Sequence, residues 1–322
     1  MSMPKIYNKV LKNIRICYIK LKEVTIMIIT IENDFFKADI STKGGELQNL
    51  IEKKTGKDII WQGDKSVWGN HAPILFPFIA RCLGGYFMIE GKKCEYSRNH
   101  GFARDLEWNC ISQKKDAAVF ELTQSEETLY RFPYSFSLKT EYQLTEKGIN
   151  WKITVKNTDN KAFKFSTGTH AAFSLNENKA EDFVIEFEKK DALTAVSCSP
   201  EGYLKTDNEG KLITQAYGEK ESGIIPVTSS GFGNGHLFTN ITSDWVGLRN
   251  LKDNSIVKIQ TKGFPYCMIW QNTSGSPHFV CIEPWHGLPD AENTNHIWTD
   301  KIGLVELAPG KEFICIQNIE AE

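Results

Sequence analysis

The chain has 322 residues, 41% hydrophobic and 24% charged, with 38 Lys+Arg set against 40 Asp+Glu. A chain of this length removes roughly 75% of its unfolded surface from water, so it needs neither disulfides nor a metal to hold a core. The ordinary apolar content excludes a chain disordered by composition, and the net charge of −2 excludes a nucleic-acid binder driven by a basic face.

Residues 1–26 differ in kind from the rest of the chain. They carry Lys5, Lys9, Lys12, Arg15, Lys20 and Lys22 against Glu23 alone, a balance of +5 that leaves −7 on residues 27–322. Ile6, Val10, Ile14, Cys17 and Leu21 would form one stripe on a helix. A basic amphipathic helix of this kind can lie on an anionic membrane surface or mimic a transit peptide. No apolar run and cleavage site follow the charges, so a secretory signal is not expected. The apolar-rich run Val24–Ile31 is too short to span a bilayer. The plainer expectation is a poorly ordered extension, or an upstream start preceding Met27. Residues 27–322 are then one domain with no membrane contact of their own.

From Met27 on, the dominant signal has period two. Phe136, Leu138, Thr140, Tyr142 and Leu144 alternate with polar residues, and after Thr145–Gly148 the pattern resumes with Ile149, Trp151, Ile153 and Val155. Two half-buried strands joined by a short Gly-containing connection predict a hairpin. Val184–Glu188, Ser255–Gln260, Tyr266–Gln271 and Phe279–Glu283 also read as strands, as do Leu304–Leu307 and Glu312–Ile316 around the turn residues Pro309-Gly310. No helical stripe of comparable strength follows residue 27, and no 20–50-residue motif repeats. The expectation is an all-β fold of many mainly antiparallel strands in two stacked sheets.

The eight cysteines include no C-x-x-C pair, which argues against a zinc knuckle or a thioredoxin-like motif. Their wide spacing predicts reduced thiols in a cytoplasmic protein. His278, His286 and His296 fall near Glu283 and Asp290, but at spacings that match no recurrent metal motif, so no metal is expected. Gly231–Gly235 lacks the Lys-Ser/Thr and the strand-to-helix setting of a phosphate loop.

Four segments place ionisable groups inside apolar, turn-bounded sequence: Phe78–Arg81, Asn99–Arg104, Gly168–Phe173 and Cys281–Gly287. Alongside them stand Gly44-Gly45-Glu46-Leu47, Trp61, Trp68, Pro73–Pro77 and Leu307–Gly310. In this order and spacing, residues 27–318 resemble the aldose 1-epimerase (galactose mutarotase) family, and within it the shorter branch resembling the LacX proteins of lactose operons. The resemblance implies a β supersandwich with a shallow open cleft for a small-molecule sugar, and no cofactor.

By that resemblance Glu283 is a general base, His170 a general acid, and His100 and Arg81 hold sugar oxygens. Trp285, beside Glu283, is a candidate for stacking on the sugar, whereas Trp68 and Trp270 read as core and His71 as packing or cleft wall. Two departures stand out. Ala171 follows His170 where the family usually has proline, and at about Gly235, where many relatives place an aspartate that anchors sugar hydroxyls, there is no carboxylate; His236 is the candidate substitute. The expected function is interconversion of the α and β anomers of a free aldose. The alternatives are a catalytically weak sugar-binding or sensing protein and a hexose-phosphate mutarotase using Arg81, Arg98 and Arg104. A glycoside hydrolase would require a second carboxylate about 5–10 Å from Glu283.

Overall fold

A computed structural model describes residues 27–218, 222–272 and 277–322. The basic stripe expected over residues 1–26 lies outside the described residues.

The alternating segments become strands where the pattern places them. Phe136–Leu144 and Gly148–Asn157 pair antiparallel, with Leu144 opposite Ile149 and Phe136 opposite Asn157. Their inward residues are buried. Thr140 is the polar exception on that face, and its hydroxyl accepts the Trp151 indole N–H at 2.9 Å, which removes the cost of burying it unpaired. This hairpin lies within a ten-stranded antiparallel sheet running from Ile224–Pro226 at one edge to Asn109–Gln113 at the other. An eight-stranded sheet runs from Thr214–Tyr217 to Ile74–Leu75, with Phe279–His286 well inside it.

The inner faces of the two sheets share one apolar core. Phe120, Leu138 and Trp151 come from the larger sheet, and Phe238, Ile269 and Ile282 from the smaller. The fold is therefore all-β, two large antiparallel sheets packed face to face. Phe76 marks the densest aromatic region, with Phe102, Phe132, Phe136 and Phe165 at ring-centroid distances of 5.0–6.0 Å. Such edge and offset contacts add to the area term for burying each ring.

Two local features go beyond the sequence reading. Val305–Leu307 and Glu312–Ile316 are strands, but they pair with Phe163–Phe165 and Gly148–Asn157 rather than with each other. The Pro309-Gly310 turn thus carries the chain from a two-stranded ribbon into the large sheet. A six-residue α-helix, Glu126–Arg131, was too short to show a stripe; Ser125 caps it reciprocally with Thr128. The seven described cysteines are unpaired.

Phe76→Ala should cost about 3–5 kcal/mol, the usual range for emptying a buried aromatic site. Urea unfolding monitored by tryptophan fluorescence checks this, and a loss under 1 kcal/mol would show that the aromatic cluster is not a core element.

Candidate active site

The site is built on the strand Phe279–His286, which is buried along almost its whole length. Successive side chains of a strand point to opposite faces. Val280 and Ile282 enter the core between the sheets. Phe279 and Cys281 pack with Trp61 and Ala172 on the outer face, and Trp285 with Leu75 further along it. Glu283 shares their parity and faces the floor of a cleft of about 580 Å³.

Across from it, Thr167–Thr169 and Ala172–Ser174 pair with the same strand, Gly168 opposite Trp285 and Ala172 opposite Cys281. Carrying that register through the two intervening residues sets His170 opposite Glu283, and its Nδ1 lies 3.4 Å from Glu283 Oε1. Gly168 is needed for this approach: a Cβ there would fall 2.9 Å from Trp285 Cδ1 and 2.7 Å from the Pro284 carbonyl. The His170 ring is held on three sides, stacked on Trp68 at 4.9 Å and met edge-on by Trp270 at 5.4 Å and His100 at 5.3 Å.

His100 is fixed by its own backbone. It sits at φ +69°, donates its N–H to the Ala80 carbonyl at 2.9 Å, and accepts the Ala80 N–H on Nδ1 at 3.0 Å. An accepting Nδ1 leaves the ring proton on Nε2 in the neutral imidazole. Burial, then the neighbouring His170 and arginines, holds the His100 pKa well below its ordinary value, so this residue is a neutral hydrogen-bond donor.

The facing pair is electrostatically strained. Glu283 is 1% exposed and His170 7%. Burial raises the Glu283 pKa well above the usual carboxylate range, with Arg104 opposing the shift. Burial, then Arg104, lowers that of His170 to about 3. Both groups thus favour their neutral forms, and neither oxygen of Glu283 has a hydrogen-bond partner among the described residues. A neutral carboxyl beside a neutral imidazole contains as many protons as a carboxylate beside an imidazolium, so a base and an acid arise here by moving one proton within the pair.

One buried carboxylate fastens the cleft's far wall. Asp290 donates its N–H to the Arg81 carbonyl at 3.1 Å and accepts the Leu204 N–H at 2.8 Å. Its side chain accepts the Leu83 N–H at 2.9 Å and the Lys301 ammonium at 3.2 Å, both side chains being 1% exposed. On the near side, Glu46 Oε1 accepts the N–H groups of His71 and Ala72 at 2.8 and 3.0 Å. That gives the Gly44-Gly45-Glu46-Leu47 segment a purpose. His71 itself bonds the Trp61 carbonyl through Nδ1 and is cleft scaffolding.

Of the residues singled out by sequence, Arg81, His100, His170, Glu283 and Trp285 line this one cleft. His236 does not. It pairs with Ile269, a core position, and its ring packs on Tyr217 at 4.7 Å and Phe232 at 5.4 Å. One residue of offset on a strand exchanges faces, and that offset takes His236 away from the cleft. Gly235 does line the cleft, at φ +93°, and a Cβ there would meet Met268 Sδ at 2.6 Å. Met268 fills the space that an aspartate at this position would enter. Trp68, Trp270, Asn70, Asn234 and Met268 also line the cleft. This corrects the reading of Trp68 and Trp270 as core, which rests on strand tryptophans being core most often; Asn70, Asn234 and Met268 carry no sequence signal that singles them out. Arg98 and Arg104 line it too, joining Arg81, while Glu283 is the sole carboxylate among the described lining residues.

The histidines near Glu283 in sequence go elsewhere: His278 stacks on Trp61, His286 packs on Phe264, and His296 stacks on Tyr86. They form no metal set. The donors that do converge are on His170, Cys281 and Glu283, all within 4.8 Å of one another.

Comparison with known proteins places this fold and cleft in a defined family. Residues 27–312 match the aldose 1-epimerase family model, and the chain belongs to that family. It is 26% identical over 292 residues to the plasmid-encoded protein LacX of Lactococcus lactis subsp. lactis, covering 88% of this chain and 95% of that protein. A galactose mutarotase-like protein from Lactobacillus casei ATCC 334 superposes with a TM-score of 0.84 at 29% identity, covering 92% of this chain and 100% of that one. A galactose mutarotase related enzyme from Lactobacillus acidophilus gives 0.85 at 26% identity, covering 92% and 97%.

Lys301→Met should destabilise the protein by about 3–5 kcal/mol, because it leaves Asp290 buried without its counter-charge. Denaturant titration of the variant checks the value. Recovery of most of the loss in Lys301→Met/Asp290→Asn would identify the stranded charge as the cause.

Proposed function

We propose that this protein is a mutarotase that interconverts the α and β anomers of an aldose. The observation that carries the reading is the facing of Glu283 and His170, 3.4 Å apart, on the floor of a cleft that also holds His100 and Arg81. In the proposed reaction the Glu283 carboxylate takes the proton from the C1 hydroxyl while protonated His170 gives one to the ring oxygen. The C1–O5 bond breaks and the open-chain aldehyde forms. Rotation about C1–C2 presents the other carbonyl face, and closure runs the proton transfers in reverse. Every step is a proton transfer or a bond rotation, so no redox or group-carrying cofactor is called for. His100 Nε2–H and the Arg81 guanidinium are aimed to hold sugar oxygens and to stabilise charge building on the ring oxygen.

A glycoside hydrolase reading lacks the second carboxylate it requires in the cleft. A sugar-binding protein without catalysis would have little use for two ionisable groups buried face to face on the cleft floor. Unpaired thiols support a reducing, cytoplasmic setting.

A second reading concerns the substrate. Arg81, Arg98 and Arg104 line the cleft against one carboxylate, an excess of positive charge that favours a phosphorylated aldose. Arg98 is held by Asp105 at 2.5 Å, so it stands as an ordered half-exposed fork rather than a free cation.

Glu283→Gln should lower the rate by about 10²–10⁴-fold, the worth of a general base, with the variant fully folded. Polarimetry or exchange NMR on freshly dissolved α-anomers measures it, and equal rates for parent and variant on every aldose and aldose phosphate tried would end the catalytic reading. For the substrate, Arg98→Ala should raise KM for a hexose 6-phosphate about tenfold, the value of one charge-assisted hydrogen bond, and leave KM for the free hexose unchanged. Equal shifts for both sugars would remove the phosphate assignment.

A further inference from the structure

Cys281 has no part in the proposed proton transfers, yet it stands beside them. It is two residues from Glu283 on the same face of one strand, and Ala172, two residues after His170, lies directly opposite it. The strand register alone therefore gathers a thiol, an imidazole and a carboxylate, and one donor atom of each lies within 4.8 Å of the others. All three side chains are buried, and His170 Nδ1 and both Glu283 oxygens have no hydrogen-bond partner among the described residues. Polar atoms left unpaired at such depth are the feature a ligand would relieve.

We propose that His170, Cys281 and Glu283 form a binding site for a soft divalent cation of the zinc class, and that its occupation silences the enzyme by sequestering both members of the acid–base pair. Zinc bonds of about 2.0–2.3 Å to N, O and S in a tetrahedron set the donors about 3.3–3.7 Å apart. The His170–Glu283 separation of 3.4 Å already satisfies this, and the sulfur has to close by about 1 Å, which a rotation of one side chain supplies. Three protein ligands leave the fourth position open towards the cleft, where water or a sugar hydroxyl completes the shell. Thiolate and imidazole donors select zinc, cobalt or cadmium over magnesium and calcium. Binding releases the thiol proton to solvent and moves no electrons. The thiolate and carboxylate together cancel the charge of the cation, so the occupied site is neutral. Arg104, whose charge reaches Glu283, opposes the cation, so the site is a reversible one.

The test is titration of chelator-treated protein with Co²⁺. One equivalent should produce intense tetrahedral visible absorption together with a near-ultraviolet thiolate-to-cobalt band. Zn²⁺ should bleach both, mutarotation should fall in step with occupancy, and EDTA should restore it. Cys281→Ser and Cys281→Ala should keep the metal-free rate, lose the thiolate band and require about tenfold more zinc for half-inhibition, the scale on which perturbed ligand sets lose affinity. Absence of the thiolate band in the folded wild-type protein at saturating cobalt overturns the site. So does equal zinc sensitivity of either folded variant, and the wild-type spectrum decides the matter if neither variant folds. The silencing rests on the acid–base reading, whereas the spectrum does not. A band without turnover on any sugar would defeat the mutarotase reading and keep the metal site, and turnover without a band would do the reverse.

Discussion

The site depends on the desolvation of one carboxylate. The strand Phe279–His286 is enclosed by neighbouring strands on both edges, so its side chains have only two faces to choose between. Its even-numbered apolar residues, Val280 and Ile282, fill the core. That parity commits Glu283 to the cleft floor at a depth where ionisation is costly. The packing of His170 between tryptophans and the reach of Arg104 from the adjoining loop both act on that cost. Both members of the resulting pair are pushed towards their neutral forms.

The electrostatics of the cleft follow from the same arrangement. Arg104 opposes the burial shift of Glu283 and adds to that of His170, so it favours the carboxylate and disfavours the imidazolium. A bound sugar, with hydroxyls close to both groups, would offset the second effect by giving the charged pair hydrogen-bond partners. On the proposed mechanism, substrate binding would therefore favour the charged form of the pair.

Much of this was legible in the sequence, for identifiable reasons. Period-two alternation located the hairpin Phe136–Leu144 with Gly148–Asn157, because half-buried strands must alternate, and the apolar run from Phe279 marked the doubly buried strand carrying Glu283. The short segments around Arg81, His100, His170 and Glu283 stood out because ionisable groups inside apolar sequence need a justification. What stayed hidden depended on parity and on partners distant in the chain. His236 was one residue out of phase with the cleft. Met268 occupies the place considered for an aspartate only because its strand pairs beside Glu283. The helix Glu126–Arg131 is shorter than two turns and so carries no periodic signal. Asp290 looked like one more acid near histidines, and its hold on two other loops exists only in three dimensions.

That hold has a consequence for how the cleft can diversify. Asp290 fixes the loops bearing Arg81 and Leu204 chiefly through their main-chain N–H and C=O groups, groups that nearly every residue type supplies. The side chains projecting from those loops are consequently free to be exchanged, while the paths of the loops are not. A lineage, or an engineer, could change what this wall presents to the cleft by point substitution, whereas insertions or deletions would be penalised at once. Lys301, which does not line the cleft, holds the Asp290 charge on which that arrangement depends.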